Sequence, residues 1–492
     1  MKRRIVIVIG LCLLSGGAAW AAPLAKKAQT KTEYLAILVG GQKLGYLENV
    51  RQVDGNTVTT SQRMVLTIKR MGMALKIEQS ESSVESASGE PLSFASSQNL
   101  GMTAQTIEGM VKAGKAKVKS SSGQQVRQTE IDWPEGALLS EGLRLLSISK
   151  GFKEGTRYTA KAFMPSILKA VDANMTIGAK KQVDLLGRVV ELTEARTVLS
   201  APTGQIESVG YLNADGDALK TVTPMMGMQM EMVACTKEFA TMPGESVDLF
   251  SKVFIASPTP LGNLAGAKSV TYRIEPTDSS AKASAKLDFL ESPSQKVARD
   301  GNSIVVTVCP VAGKGGALPY KGADPAAVEA LKATAYLQAD AEEVVALARK
   351  AVAGAKDASG AARQIQDFVS KYVNRKDLSV GYATALEVAR SRQGDCSEHA
   401  VLASAMCRAA GLPAQVVMGV VYVENTGDRR DVFGPHAWFR VLLDGVWVDY
   451  DAAMGAYDAG HIALFAGDGE PGDLFGVVNT LGNFRLAEVK KN

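Results

Sequence analysis

Gly394-Asp395-Cys396-Ser397-Glu398-His399-Ala400, then Pro435-His436-Ala437-Trp438, then Trp447-Val448-Asp449-Tyr450-Asp451, form the stretch that decides how this chain reads. Asp395 is a natural N-cap, and Glu398 three residues later completes a capping-box pattern. The helix so started should run from Cys396 to about Ala410 and stop at Gly411, with Pro413 beyond. Cys396 then stands at the first helical position. There, free backbone N–H groups and the positive end of the helix dipole favour a thiolate and are candidate donors to an oxyanion. Positions 396, 400, 403 and 407 share a face of Cys, Ala, Ala and Cys, small enough for close packing. Cys407 lies about 16 Å along the axis, out of disulfide reach of Cys396, and reads as a buried structural thiol.

The two later pieces pair in a register that can be worked out. His436 to Leu443 reads as a strand, Asp444-Gly445 as a two-residue turn, and Val446 to Asp451 as the return strand. With Leu443 opposite Val446, Trp438 falls opposite Asp451 and His436 opposite Ala453. His436 and Asp451 are then diagonal neighbours on one face, within side-chain reach. Arg440 falls opposite Asp449, which predicts an ion pair there and leaves Asp451 to orient the imidazole. A lone buried Cys or strand His is usually structural. A helix-start Cys, a His 40 residues on and an acid 15 further on the paired strand together point to a thiol nucleophile, its base and its orienter. His399 is a second, poorer candidate base, and His461, in a Gly/Ala-rich segment, reads as incidental. The chain has three histidines, scattered along it, so no metal or cofactor set is expected.

Working outward, 492 residues allow two to four domains. Lys2 to Arg4, the apolar run Ile5 to Leu14 and Ala19-Trp20-Ala21 form an export signal over residues 1–21, cleaved before Ala22, which places the mature chain in a bacterial periplasm or outside the cell. Leu11 before Cys12 argues against lipidation. Formal net charge is +4, and Lys2, Arg3 and Arg4 supply three of those charges, so the mature chain carries about +1 and is no nucleic-acid binder. No later apolar run is long enough to span a bilayer. Cys235 and Cys309 are left as a possible bridge in an oxidising compartment.

Residues 33–235 alternate as strands, with a helix expected over Glu135 to Ser149, and argue for an antiparallel sheet with one wet face. In outline this region is similar to the curved half-barrels of periplasmic lipoprotein carriers. Asn213-Ala214-Asp215-Gly216-Asp217 lacks the later glutamate of a calcium loop and reads as a hairpin turn. Met226, Met228, Met230 and Met232 alternate along one strand; an adaptable apolar face, lining a groove or the core, is preferred to a Cu(I) site. Residues 236–322 read as a small β module, and 324–492 as an Ala-rich helical start leading into the site, with Asp324 as N-cap and Pro325 at the first helical position.

The C-terminal region resembles the transglutaminase-like superfamily. Gly394-Asp395-Cys396 with Arg408-Ala409-Ala410-Gly411-Leu412-Pro413-Ala414 is similar to its nucleophile helix and following strand. His436-Ala437-Trp438 resembles its base motif, and Trp447 with Asp451 four residues on its acid motif. Where many relatives have Pro-Thr after the aspartate, this chain has Ala452-Ala453. The resemblance implies an α+β protein with a papain-like core and a Cys396-His436-Asp451 triad, preceded by antiparallel β-rich domains. It implies acyl transfer through a thioester at Cys396, from a protein or peptide substrate to water or to an amine. The alternative is a non-catalytic envelope module that binds a protein, peptide or lipid partner through the N-terminal β region.

Overall fold

The computed structural model describes residues 29–492 apart from 71–72, 100–103, 123–124, 202–203, 226, 245–246, 249–252, 278–286, 376–381, 471–476 and 478–479. The export signal and Cys12 lie outside the described residues. The chain divides between Asp248 and Leu249 into two compact units.

The N-terminal unit is one large antiparallel sheet made of two meanders. The first runs from Gln29–Val39 out to Gln125–Asp132, and the second from Met228–Cys235 back to Arg157–Met164. They join where Gln29–Val39 pairs with Met228–Cys235, Tyr34 opposite Cys235 and Val39 opposite Met230. The sheet curls upon itself. Phe94 and Phe163 are far apart in strand order, yet their rings lie 5.1 Å apart, and Trp133 stacks 4.3 Å from Phe163. Helix Ser140–Lys150 sits in this curl, its Leu143 packed with Met164, Val171 and Leu199. The helix starts later than Glu135 because Ala137–Leu138 pairs as a short parallel strand with Lys161 and Ala162. Its first turn is capped from a distant strand, Glu85 accepting the Glu141 and Gly142 N–H groups at 2.8 Å each.

The Asn213–Asp217 segment is a hairpin turn, the Asn213 N–H donating to the Asp217 carbonyl at 2.9 Å. The methionine run is not one strand. Gly227 turns the chain between strands Ala218–Met225 and Met228–Cys235, and Met226 lies outside the described residues. Met230 and Met232 are buried core, and Met228 follows them on the same face.

The C-terminal unit has two sheets. The first is built from Ile255–Ala256, Arg429–Leu443, Ala414–Thr426 and His461–Gly467, with Val446–Tyr450 paired to Arg429–Leu443. Helix Cys396–Ala409 packs on it, buried from Ser397 to Arg408, its Ala400, Ala403, Ala405 and Cys407 letting helices Glu342–Ala351, Ala358–Tyr372 and Ala385–Ser391 approach. The second sheet orders Gln295–Asp300, Ser303–Val308, Val270–Pro276 and Phe484–Lys491. Val270, Tyr272 and Ile274 alternate inward, as half-buried strands do. Residues 236–322, expected as a module of their own, therefore contribute strands to sheets completed by the end of the chain. Val270 lies opposite Lys491, and Ile255 opposite Phe433. Asp324 caps the short helix Pro325–Glu329 by accepting the Ala326 N–H, as its sequence predicts. The cysteines at 235, 309, 396 and 407 are all free thiols. Among the described residues, no helix is long and apolar enough to cross a membrane.

Candidate active site

The start of helix Cys396–Ala409 is fixed by a complete capping box. Asp395 Oδ1 accepts the Ser397 N–H at 3.0 Å and its side chain also takes the Glu398 N–H, while Glu398 Oε2 accepts the Asp395 N–H at 3.0 Å. Glu398 Oε1 also accepts the Ala383 N–H at 2.9 Å, tying the helix start to the segment before helix Ala385–Ser391. Burial, with Asp395 beside it, pushes the Glu398 carboxyl up. Gly394 is required here. Its φ is 150°, and a Cβ would lie 2.2 Å from the Glu398 Cβ. Gly394→Ala is therefore expected to displace the cap and cost about 1–3 kcal/mol, read as a lower Tm together with slower alkylation of Cys396.

His436 comes from strand Arg429–Leu443 and Asp451 from just beyond strand Val446–Tyr450. The ladder has Leu443 opposite Val446 and Phe439 opposite Tyr450, the register worked out from the sequence. His436 Nε2 donates to Asp451 Oδ2 at 2.7 Å. A second side-chain hydrogen bond joins His436 to Cys396, and with Nε2 spent on Asp451 it falls to Nδ1. All three expected site residues are thus brought together. Burial works against a charged His436, but the Asp451 carboxylate and the Cys396 sulfur outweigh it and push the ring up to about 10.

Asp451 is fully buried. Its Oδ1 accepts the Ala453 and Met454 N–H groups at 2.7 and 3.0 Å, so the Ala452-Ala453 turn holds the carboxylate without the more usual Pro-Thr. Burial alone would raise this acid, yet His436 and His461 hold it well below the usual carboxylate range.

His461 is where the sequence reading fails. It is fully buried, its Nε2 donates to Asp451 Oδ2 at 3.0 Å, and its Nδ1 lies 3.0 Å from Asp458 Oδ1. Burial opposes its charge, but the bonds to Asp451 and Asp458 raise it. Trp438 meets the ring edge-on at 5.2 Å, and Tyr457 lies 4.7 Å away. The site is thus a chain: Asp458, His461, Asp451, His436, Cys396. The one sequence signal for His461 was an aspartate three residues before it, and that alone carries no weight. His436, Asp451 and His461 are close enough to share a cation, but each facing atom is already matched donor to acceptor.

Two other expectations shift. His399 Nδ1 donates to the Asp395 carbonyl at 2.6 Å, holding the ring against its own helix start. Asp449 lies opposite Arg440 as expected, yet its carboxylate turns inward, accepting Trp438 Nε1–H at 3.0 Å and Ser294 Oγ–H at 2.7 Å. Arg440 instead bonds Gln415 Oε1 and stacks 4.7 Å over Trp447. The short acid stays on the buried side, while the longer cation covers the indole at the edge. Cys407 is buried, and burial raises its thiol.

Comparison with known proteins finds a family match over this region. Residues 345–452, from within helix Glu342–Ala351 to just past Asp451, match the family model of the transglutaminase-like superfamily. Among solved structures the chain is similar to a candidate cysteine protease from Cytophaga hutchinsonii, at 16% identity over 49% of this chain and 86% of that one, TM-score 0.30. It is similar to a β-barrel-like protein of unknown function from Brucella abortus, at 12% identity over 42% and 95%, TM-score 0.33. A third is a candidate protease from Parabacteroides distasonis, at 11% identity over 73% and 68%, TM-score 0.18. A search of curated proteins returns no match. The protein is thus β-rich, with a large antiparallel sheet preceding a transglutaminase-like domain.

Proposed function

We propose that this chain is a cysteine-dependent hydrolase that cleaves an amide bond in a protein or peptide, in the periplasm or outside the cell. The observation that carries this is one imidazole bonded on both sides, His436 to buried Asp451 and to Cys396 at a helix start. The Cys396 thiolate adds to the substrate carbonyl. The His436 imidazolium protonates the leaving nitrogen as the C–N bond breaks, and an acyl-thioester remains. Neutral His436 then takes a proton from water, the hydroxide adds to the thioester, and the thiolate leaves. Asp451 fixes the ring and stabilises its charged form. The Ser397 and Glu398 N–H groups are spent on Asp395, so the Cys396 N–H is assigned to the oxyanion.

The test is alkylation by iodoacetamide across pH, read at each cysteine by mass spectrometry in the full chain and in His436→Ala. Cys396 is expected to react well below pH 7, about tenfold or more slowly in His436→Ala, while buried Cys407 stays unmodified. Reaction of Cys396 only above about pH 8.5, the free-thiol value, with no difference in His436→Ala, would sink the proposal and leave a binding module.

A further inference from the structure

The turn that follows Asp451 has little stiffness of its own. It runs Ala452-Ala453-Met454-Gly455-Ala456, with Met454, Gly455 and Ala456 exposed to solvent. Neither of the first two alanines fixes its φ as a proline would, nor offers a hydroxyl to the neighbouring backbone. Gly455, at φ 85° with open space where a Cβ would stand, adds freedom rather than restraint. The bonds from the Ala453 and Met454 N–H groups to Asp451 Oδ1 join the turn to the carboxylate. They do not join either of them to the rest of the domain.

A side chain from helix Ala358–Tyr372 supplies that link. The helix buries Ala358, Ala361, Ala362, Ile365 and Val369 along one face, and Gln366 stands half-buried beside it. Its Oε1 accepts the Asp451 N–H at 3.2 Å, and its Nε2 donates to the Gly455 carbonyl at 2.9 Å. One amide thus holds both ends of the turn. Flipping it would set donor against donor at Asp451 and acceptor against acceptor at Gly455, so the two partners fix its orientation. Arg363, earlier on the same helix, turns instead to the Gly313 carbonyl at 3.2 Å. The charged groups that face Asp451 are the rings of His436 and His461, with Asp458 beyond them.

We propose that Gln366 is a positioning residue for this site: by holding the Asp451 main chain and the far end of its turn on helix Ala358–Tyr372, it keeps the Asp451 carboxylate on His436 Nε2. The proposal rests on the reading of Cys396, His436 and Asp451 as a hydrolase site. It also explains how an Ala452-Ala453 turn serves there, since the support comes from outside the turn. Without the amide the turn is free to swing, the 2.7 Å bond from His436 Nε2 to Asp451 Oδ2 lengthens or bends, and the carboxylate favours the charged ring less. Gln366 acts through Asp451, not on the thiol.

The experiment is an NMR titration of the full chain carrying isotope-labelled histidine, whose three rings are assigned with His399→Gln and His461→Gln. In Gln366→Met, which keeps the length and loses both bonds, the His436 midpoint is expected to fall by about one pH unit, the equivalent of about one hydrogen bond. The alkaline limb of Cys396 alkylation by iodoacetate should fall with it. His399, bonded to its own helix start, should not move. Gln366→Glu still accepts the Asp451 N–H, and its negative charge favours the imidazolium, so the midpoint should return to the parent's or pass it. A glutamine with a purely structural role would lower the melting temperature and leave the ring and the limb in place. A His436 midpoint unchanged in Gln366→Met, or one that falls as far in Gln366→Glu, overturns the proposal. The ring titration needs no reactive thiol, so the two readings fail separately: a parent whose Cys396 reacts only above about pH 8.5 sinks the hydrolase, while the response of His436 alone decides the role of Gln366.

Discussion

Asp451→Ala is expected to cost about 3–5 kcal/mol, the range for removing one partner from a buried ion pair, and to lower the Tm of the C-terminal unit by about 10 °C. The reason is the number of groups that lose their acceptor at once: two imidazole N–H groups and two backbone N–H groups, all converging on one fully buried carboxylate. The loss depends on pH, and its sign follows from the direction of each shift. Asp451 is held below its unfolded value of about 3.9, so its contribution is present above that value and fades as pH falls through the lower folded one. His436 is raised, so its contribution is complete below about 6.5 and is lost as pH rises through about 10. The gap in Tm between the parent and Asp451→Ala should therefore be widest from about pH 4 to 6.5 and narrow toward either end. Alkylation of Cys396 should slow in step, because an unanchored His436 no longer holds its proton beside the thiol. A thermal melt across pH decides the matter: an unchanged Tm, or a gap that does not vary with pH, means that Asp451 is not the acceptor on which this network rests.

The parts of this site that the sequence disclosed are those set by local rules. Asp395, Glu398 and Gly411 mark a helix by side-chain chemistry acting over three or four residues, and the Asp444-Gly445 turn fixes the register that places His436 beside Asp451. The parts that stayed hidden depend on residues brought together from far along the chain. Tyr272 donates its hydroxyl to the Ala459 carbonyl across 187 positions, and strand Val270–Pro276 finds its partner in the last strand, so residues 236–322 looked self-contained when their ladder is not. Asp449 was placed correctly opposite Arg440, but a pairing rule reads position alone, and the buried indole of Trp438 was the stronger claimant on the acid. In the N-terminal unit, alternation announced strands, while the curl, expected only from an outline similarity to half-barrels, rests on aromatic contacts between strands far apart in order. The methionine run misled for a simpler reason: a period of two continues through a hairpin turn as easily as along a strand.

His461→Phe separates positioning from packing. Phenylalanine keeps a ring between Trp438 and Tyr457, yet takes away the donors to Asp451 and Asp458. Two charge-assisted hydrogen bonds are lost, so about 3 kcal/mol of stability should go with them. A purely structural role would stop there. As a positioning residue, His461 also bears on the thiol through the carboxylate it shares with His436. While both rings sit on Asp451 Oδ2, each charged ring disfavours the other, and they compete for one acceptor. Removing His461 leaves His436 the sole imidazole on Asp451, so with iodoacetate, whose carboxylate favours the charged His436 ring beside the thiolate, the alkaline limb of Cys396 alkylation should move to higher pH, even as the protein becomes less stable. His461→Gln, which retains one donor toward Asp451 without a titratable ring, should recover part of the stability and keep the upward shift. An alkaline limb that stays in place in both variants reduces His461 to a packing residue, and one that moves down means that its charge supports His436 rather than competing with it.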